Sequence, residues 1–216
     1  MAKKRKLYDK EEWVKLNGNK QNIRIYTYDK NAPVLLFLHG GPGVCDRHWV
    51  LHFQKALADK YTMVLWDQRG SGKSYQYFKT KRADLHVPMY VEDARELIEY
   101  LCKKFKQDKI VVFGPSWGTV LGTPLCYKYP EHIAAYVGQG QVIEGEANEA
   151  ISYQFVMDEA AKAGDKKTIK AIKDHPPVKG VYDSHDAMMA QRNGLSKYGG
   201  EEWKNRGGMV QTLLIP

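Results

Sequence analysis

The sequence predicts an α/β protein whose mostly parallel sheet carries helices on both faces, followed by a purely helical segment. Three observations carry that expectation. Short apolar runs, β-branched or aromatic-rich, alternate with longer stretches of helical spacing over the first two thirds of the chain. Strand and helix taken in turn favour parallel pairing, because each crossover helix returns the chain to the same end of the sheet. Beyond residue 142 the strand-like runs cease and only helical spacing continues.

The expected strands are residues 23–28, 34–38, 63–66, 110–113 and 134–137, mostly bounded by Gly, Pro or Asp. Residues 29–33 are too few for a crossover, so the first run is expected as an antiparallel neighbour of the second. Trp49, Phe53 and Leu57 recur every four residues and predict one helix. Val91, Ala94, Ile98, Leu101 and Phe105, three and four apart, mark the buried face of another. Residues 147–163, 166–173 and 184–198 read as helices of an insertion. At Gly164-Asp165 and between Gly180 and Asp183, a stop glycine precedes an aspartate N-cap. The expected organisation is a core over residues 1–142 and a partial helical cap over 143–216. No internal repeat or low-complexity tract interrupts it. The final residues, 209–216, are apolar and carry no helix or strand stop signal.

A length of 216 residues suits one domain with an inserted subdomain, and 43% hydrophobic residues suffice for a core. No apolar run approaches the ~20 residues needed to span a bilayer. The basic start Met1-Ala2-Lys3-Lys4-Arg5-Lys6 lacks the apolar stretch of a signal peptide, so a cytoplasmic protein without a membrane partner is expected. Cys45, Cys102 and Cys126 are odd in number, far apart and without a CxxC pair, which points to reduced thiols rather than disulfides or zinc. The net charge of +8 comes from scattered lysines, as at Lys3-Lys4, Lys103-Lys104 and Lys166-Lys167. None accompanies a nucleic-acid motif, so solvated faces rather than a nucleic-acid partner are expected.

Three motifs carry chemistry. Gly114-Pro115-Ser116-Trp117-Gly118 places G-x-S-x-G directly after an apolar strand and before a helical segment. A serine on such a sharp turn holds strained backbone angles, and small residues on either side avoid clashes. The turn lifts the hydroxyl above the sheet and aims the free N–H groups of the next helix at a developing negative charge. His39-Gly40-Gly41-Pro42-Gly43 follows the second strand. Its bare backbone amides, that of Gly41 above all, can join the Trp117 N–H in an oxyanion hole. Asp67-Gln68-Arg69-Gly70-Ser71-Gly72-Lys73-Ser74 follows the third strand and invites a phosphate-loop reading. That motif requires glycine where Asp67 stands, and a carboxylate there would repel phosphate. A structural turn beneath the site is the better account.

In this order the three motifs resemble the proline iminopeptidase branch of the α/β-hydrolase fold. That resemblance covers residues 20–145 well and the cap loosely, with Tyr136-Val137-Gly138-Gln139-Gly140-Gln141 similar to the strand that leads into the family's cap. It implies a serine hydrolase that attacks a peptide or amide carbonyl through Ser116 and forms an acyl-enzyme, with Gly41 and Trp117 as oxyanion donors. It also implies that cap carboxylates hold the substrate's amino terminus, for which Glu144, Glu146 and Glu149 are candidates; exposed glutamates that merely open a helix are the alternative. No metal or organic cofactor is implied. An esterase or lactonase using the same turn remains open, because cap shape decides the substrate.

Two departures from the family pattern stand out. Pro115 fills the variable position of the turn, where its fixed φ and missing N–H restrict geometry; Gly114 before it tolerates the restriction. The family's triad runs Ser, then Asp or Glu, then His, yet only His132, His175 and His185 follow Ser116. His132 stands about 20 Å along the helix from the nucleophile at 1.5 Å per residue. Neither His175 nor His185 follows an apolar strand. The chain is therefore expected to be truncated, weakly active or inactive by itself, and prone to self-association through an uncovered sheet edge.

Overall fold

The computed structural model describes residues 6–75 and 81–201. The basic start and the apolar residues 209–216 singled out above lie outside them. The chain divides into two compact units, Met1–Val142 and Ile143–Pro216.

The first unit is built on one six-stranded sheet in the order β1-β2-β4-β3-β5-β6. Its strands are β1 (Tyr8–Leu16), β2 (Asn19–Thr27), β3 (Val34–Leu38), β4 (Thr62–Trp66), β5 (Ile110–Pro115) and β6 (Ile133–Gln139). β1, β2 and β4 pair antiparallel, whereas β4, β3, β5 and β6 are parallel. The first expected strand is indeed antiparallel, but its partner is β4 rather than β3. The short 29–33 loop carries the chain past the place that β4 later fills. The sequence reading missed β1 because five of its nine residues are charged and only its last apolar residues, Val14 and Leu16, are buried.

Alternate residues of a strand face opposite sides, and the two faces are covered differently. Leu36, Leu38, Val64 and Trp66 face α2 (Val87–Phe105) and α3 (Trp117–Lys128), whose Leu97, Leu101, Leu121 and Leu125 are fully buried. Each such leucine contributes roughly 2 kcal/mol. The predicted stripe on α2 is the buried one, with Phe105 partly covered. Leu35, Phe37, Met63 and Leu65 face α1 (Arg47–Phe53) and a 3-10 turn, Lys55–Asp59. Here only Leu57 of the predicted stripe of Trp49, Phe53 and Leu57 packs against the cluster, and Phe53 is exposed. The helix breaks after Phe53, and Val50 and Ala58 are the residues buried.

The second unit packs α4 (Gly145–Lys162), α5 (Lys166–Ile172) and α6 (His185–Lys197) around Val156, Ala160, Ile172 and Ala187. Asp165 caps α5 by accepting from Thr168 N–H. The cap of α6 is Ser184, which accepts from Ala187 N–H, not Asp183 as predicted. Asp183 instead pairs with His175 at 2.6 Å. Among the described residues no helix is long and apolar enough to cross a membrane.

Candidate active site

The strand order places the site. After β3 the chain passes to β4 on one side, then crosses through α2 to β5 on the other. The loops leaving β3 and β5 therefore diverge at the carboxyl ends of adjacent strands, the crevice where open α/β sheets take ligands. Leu38 pairs with Trp66 and Phe37 with Phe113, so the three motif loops emerge side by side.

Ser116 follows the last residue of β5 and precedes α3, at φ 49° and ψ −117°. A non-glycine residue in that region costs about 1–3 kcal/mol and persists only where its surroundings impose it. Here they do. Ser116 N–H donates to Gln139 O at 2.8 Å, and Ser116 O accepts from Thr119 N–H at 2.8 Å. A Cβ on Gly114 would come within 2.6 Å of Gly118 O, and one on Gly118 within 2.1 Å of Leu38 O. Pro115 closes β5 opposite Gln139, and the turn tolerates it. Ser116 is exposed, and among the described residues no side chain bonds its hydroxyl.

The glycine-rich loop lies against this turn. A Cβ on Gly40 would sit 3.7 Å from that of Ser116. Gly41 has φ 119°, and a side chain there would strike Val44 N at 2.7 Å. The Gly41 and Trp117 N–H groups, the latter opening α3, have no partner among the described residues.

His39 is not free for proton transfer. Its Nε2 accepts from Gln68 N–H at 3.2 Å, which leaves Nδ1–H to donate to Gly40 O at 2.8 Å. Burial holds its pKa below the usual imidazole range, so the ring is a neutral pin between two loops. Asp67 likewise binds inward, with Oδ2 accepting from Lys73 N–H and Oδ1 facing Arg47 Nε at 2.7 Å. The turn after β4 is structural, as its leading aspartate implied. Gly72 is obligatory there, because a Cβ would meet Asp67 Oδ2 at 2.6 Å and Cys45 Sγ at 2.5 Å. Burial pushes the Cys45 thiol up to about 11, which removes it as a nucleophile at neutral pH.

Sequence reasoning missed the connecting residue. Gln68, 1% exposed, donates Nε2–H to His39 O at 3.1 Å and accepts from Trp117 Nε1–H at 3.1 Å. Trp117 also meets the Tyr90 ring edge-on at 5.8 Å. Beside them a cavity of about 260 Å³ opens among Pro42, Gly43, Gly70, Leu85, Tyr90 and Trp117. A larger hollow near Cys102, Lys106 and His132 lies by the amino ends of β5 and β6, away from these loops.

The remaining candidates occupy distinct settings. Glu144 is the N-cap of α4, accepting from Glu146 and Ala147 N–H groups. Glu149 Oε1 pairs with Arg192 at 2.6 Å. Glu146 is exposed in the first turn, and its carboxylate has no partner among the described residues. His132 ends a 3-10 turn, Pro130–His132, after α3. His175 is held by Asp183, which raises its pKa, and His185 opens α6.

Comparison with known proteins agrees with this architecture. Residues 33–168 match the family model described as alpha/beta hydrolase fold. The chain is 33% identical over 171 residues to a protein named probable aminopeptidase YbaC of Bacillus subtilis, covering 77% of this chain and 52% of that one. It is 27% identical over 127 residues to a proline iminopeptidase of Heyndrickxia coagulans, covering 59% and 41%. The chain thus spans about half, or less, of the curated relatives it matches. The crystal structure of a proline iminopeptidase-related protein from Thermus thermophilus superposes with TM-score 0.59 at 19% identity, covering 87% of this chain and 73% of that one. By its matched residues and its sheet, the chain belongs to the α/β-hydrolase fold family.

Proposed function

We propose that Ser116 is the nucleophile of a serine hydrolase that forms an acyl-enzyme and releases an N-terminal proline or similar small residue. The observation that carries this reading is the strained, exposed Ser116 packed against a glycine loop with unpaired amides. Ser116 Oγ attacks the carbonyl carbon and its proton passes to a base. The oxyanion is then held by Gly41 and Trp117 N–H, each worth about 3 kcal/mol of transition-state stabilisation. Collapse expels the amine, which takes that proton from the base, and water later hydrolyses the ester and restores the Ser116 hydroxyl. A base must come within about 3 Å of the hydroxyl; none does so among the described residues, so this chain alone is expected to turn over slowly. The aminopeptidase relatives support a substrate with a free amino terminus. Glu146, whose carboxylate is uncommitted, is the cap glutamate most available to pair with an ammonium, since Glu144 caps a helix and Glu149 is neutralised by Arg192.

A fluorophosphonate probe tests the nucleophile. Labelling at Ser116 that is abolished in Ser116→Ala is expected, faster in a longer protein that supplies a base. Absence of labelling in both would overturn the reading. Prolyl and other aminoacyl arylamides test the substrate class; turnover of simple esters without turnover of any arylamide would reassign it to an acyl-ester hydrolase.

A further inference from the structure

The turn after β4 contributes no donor to the proposed oxyanion hole, yet one of its side chains touches both segments that do. β4, β3 and β5 are adjacent and parallel, so Gln68, His39 and Ser116 leave the sheet at one level. The Gln68 amide spans the gap between them. Its NH2 group holds the carbonyl of His39, two residues before Gly41, and its oxygen holds the Trp117 indole. The Gln68 backbone N–H fixes the His39 ring, which in turn binds Gly40 O. The amide is buried and both of its ends are engaged, so it cannot rotate without losing a bond at each end.

We infer that Gln68 is a positioning residue for the oxyanion hole, setting the separation of the Gly41 and Trp117 amides by tying the loop after β3 to the first residue of α3. The inference rests on the proposed serine mechanism for its catalytic meaning, though not for its geometry. Gln68 touches no reacting atom. Its effect is on where the two donors stand, and a shift of about 1 Å in a reacting geometry can cost ~10²-fold in rate.

The test uses the full chain with three variants. Gln68→Leu removes both bonds, Trp117→Phe removes one while keeping a ring against Tyr90, and the third combines them. Fluorophosphonate labelling of Ser116 is resolved into a limiting rate and a half-saturating probe concentration, alongside the Gly41 and Trp117 backbone amide signals by NMR. Gln68→Leu is expected to lower the limiting rate about tenfold, less than outright loss of a donor, with half-saturation unchanged and both amide signals displaced. The double variant is expected to be no slower than Gln68→Leu, because the shared bond is already gone; two unrelated defects would multiply. A Gln68→Leu protein with both amide signals in place, or with a rate loss that multiplies with that of Trp117→Phe, overturns the inference. Should wild-type Ser116 fail to label at all, the serine reading falls separately, and the amide signals alone decide whether Gln68 positions the two segments.

Discussion

The two margins of the sheet are finished in opposite ways. At the β1 margin, Asp9, Glu11 and Glu12 reach Arg24, Lys73 and Lys104 at 2.7, 2.6 and 2.9 Å. Behind that edge a buried polar knot joins the antiparallel strands to α2. Asp93 accepts from Arg69 Nε and Nη2 at 2.8 Å each and from Gln21 Nε2 at 2.6 Å, while Gln21 Oε1 receives Trp66 Nε1–H. At the β6 margin no charged residue stands in the strand, and among the described residues β6 pairs with β5 alone. The face of β3 and β4 towards α1 is sealed, but further along the same face Val111 and Phe113 are half-buried and Val137 is 47% exposed. Charged edge residues and ion pairs keep strands from adding. One margin is thus built to meet water and the other is not.

Breaking the knot is the harshest test of that contrast. Asp93→Ala strands Arg69, 4% exposed, without its counter-charge. Loss of one partner of a buried pair costs about 3–5 kcal/mol, to be read as a lowered midpoint in urea unfolding. The second test sets the sealed centre against the open margin. Leu36→Ala at 0% exposure should cost about 2–5 kcal/mol, whereas Val137→Ala should stay within about 0.5 kcal/mol. Equal losses would mean that the β6 face is covered after all.

The same contrast explains what the sequence made legible. β3 and β4 are covered on both faces and read as unbroken apolar runs, so their positions could be seen at once. β1 was hidden because its outward residues are charged and its partners lie elsewhere in the chain. The glycines at 41, 114 and 118 were legible because a side chain at each would strike backbone, and that exclusion leaves a compositional mark. Gln68 left none. Its role depends on the register of three strand ends, and only the repeated Gly-Ser setting around it hinted at a fixed turn. Four-residue spacing does not describe α1, because the helix stops at Phe53 and the chain tightens after Gln54 into a 3-10 turn.

A smaller effect concerns how the centre is covered. The Asp46 side chain makes no capping bond at the start of α1, and burial pushes its carboxyl up to about 6 from 3.8. Between those values the folded protein holds a proton on Asp46 that the unfolded chain has lost, so the contribution of this group to stability falls as pH rises through the window. Asp46→Asn should flatten that slope and raise stability at pH 7 by about 1 kcal/mol, allowing for partial exposure. Unfolding midpoints of both proteins at pH 4 and pH 7 check the sign, and an advantage of Asp46→Asn over the wild type that does not grow from pH 4 to pH 7 would contradict the burial of this group.

The slightest effect on stability is the one that speaks most directly to the open margin. Val137 faces the uncovered side of β6, next to Phe113 in register. A lysine there buries nothing, so the unfolding midpoint should change by no more than about 0.5 kcal/mol. It would nevertheless give the strand the charge that β1 already has, and edge charge acts on association rather than on folding. Light scattering against concentration should then show self-association in the wild-type chain that is reduced in Val137→Lys and unchanged in a control, Trp13→Lys on β1. Trp13 is a fair control because it is 56% exposed and stands on the margin already charged. If the control lowers association as much as Val137→Lys does, or if the wild type is monomeric throughout, the two margins are equivalent and the asymmetry has no consequence in solution.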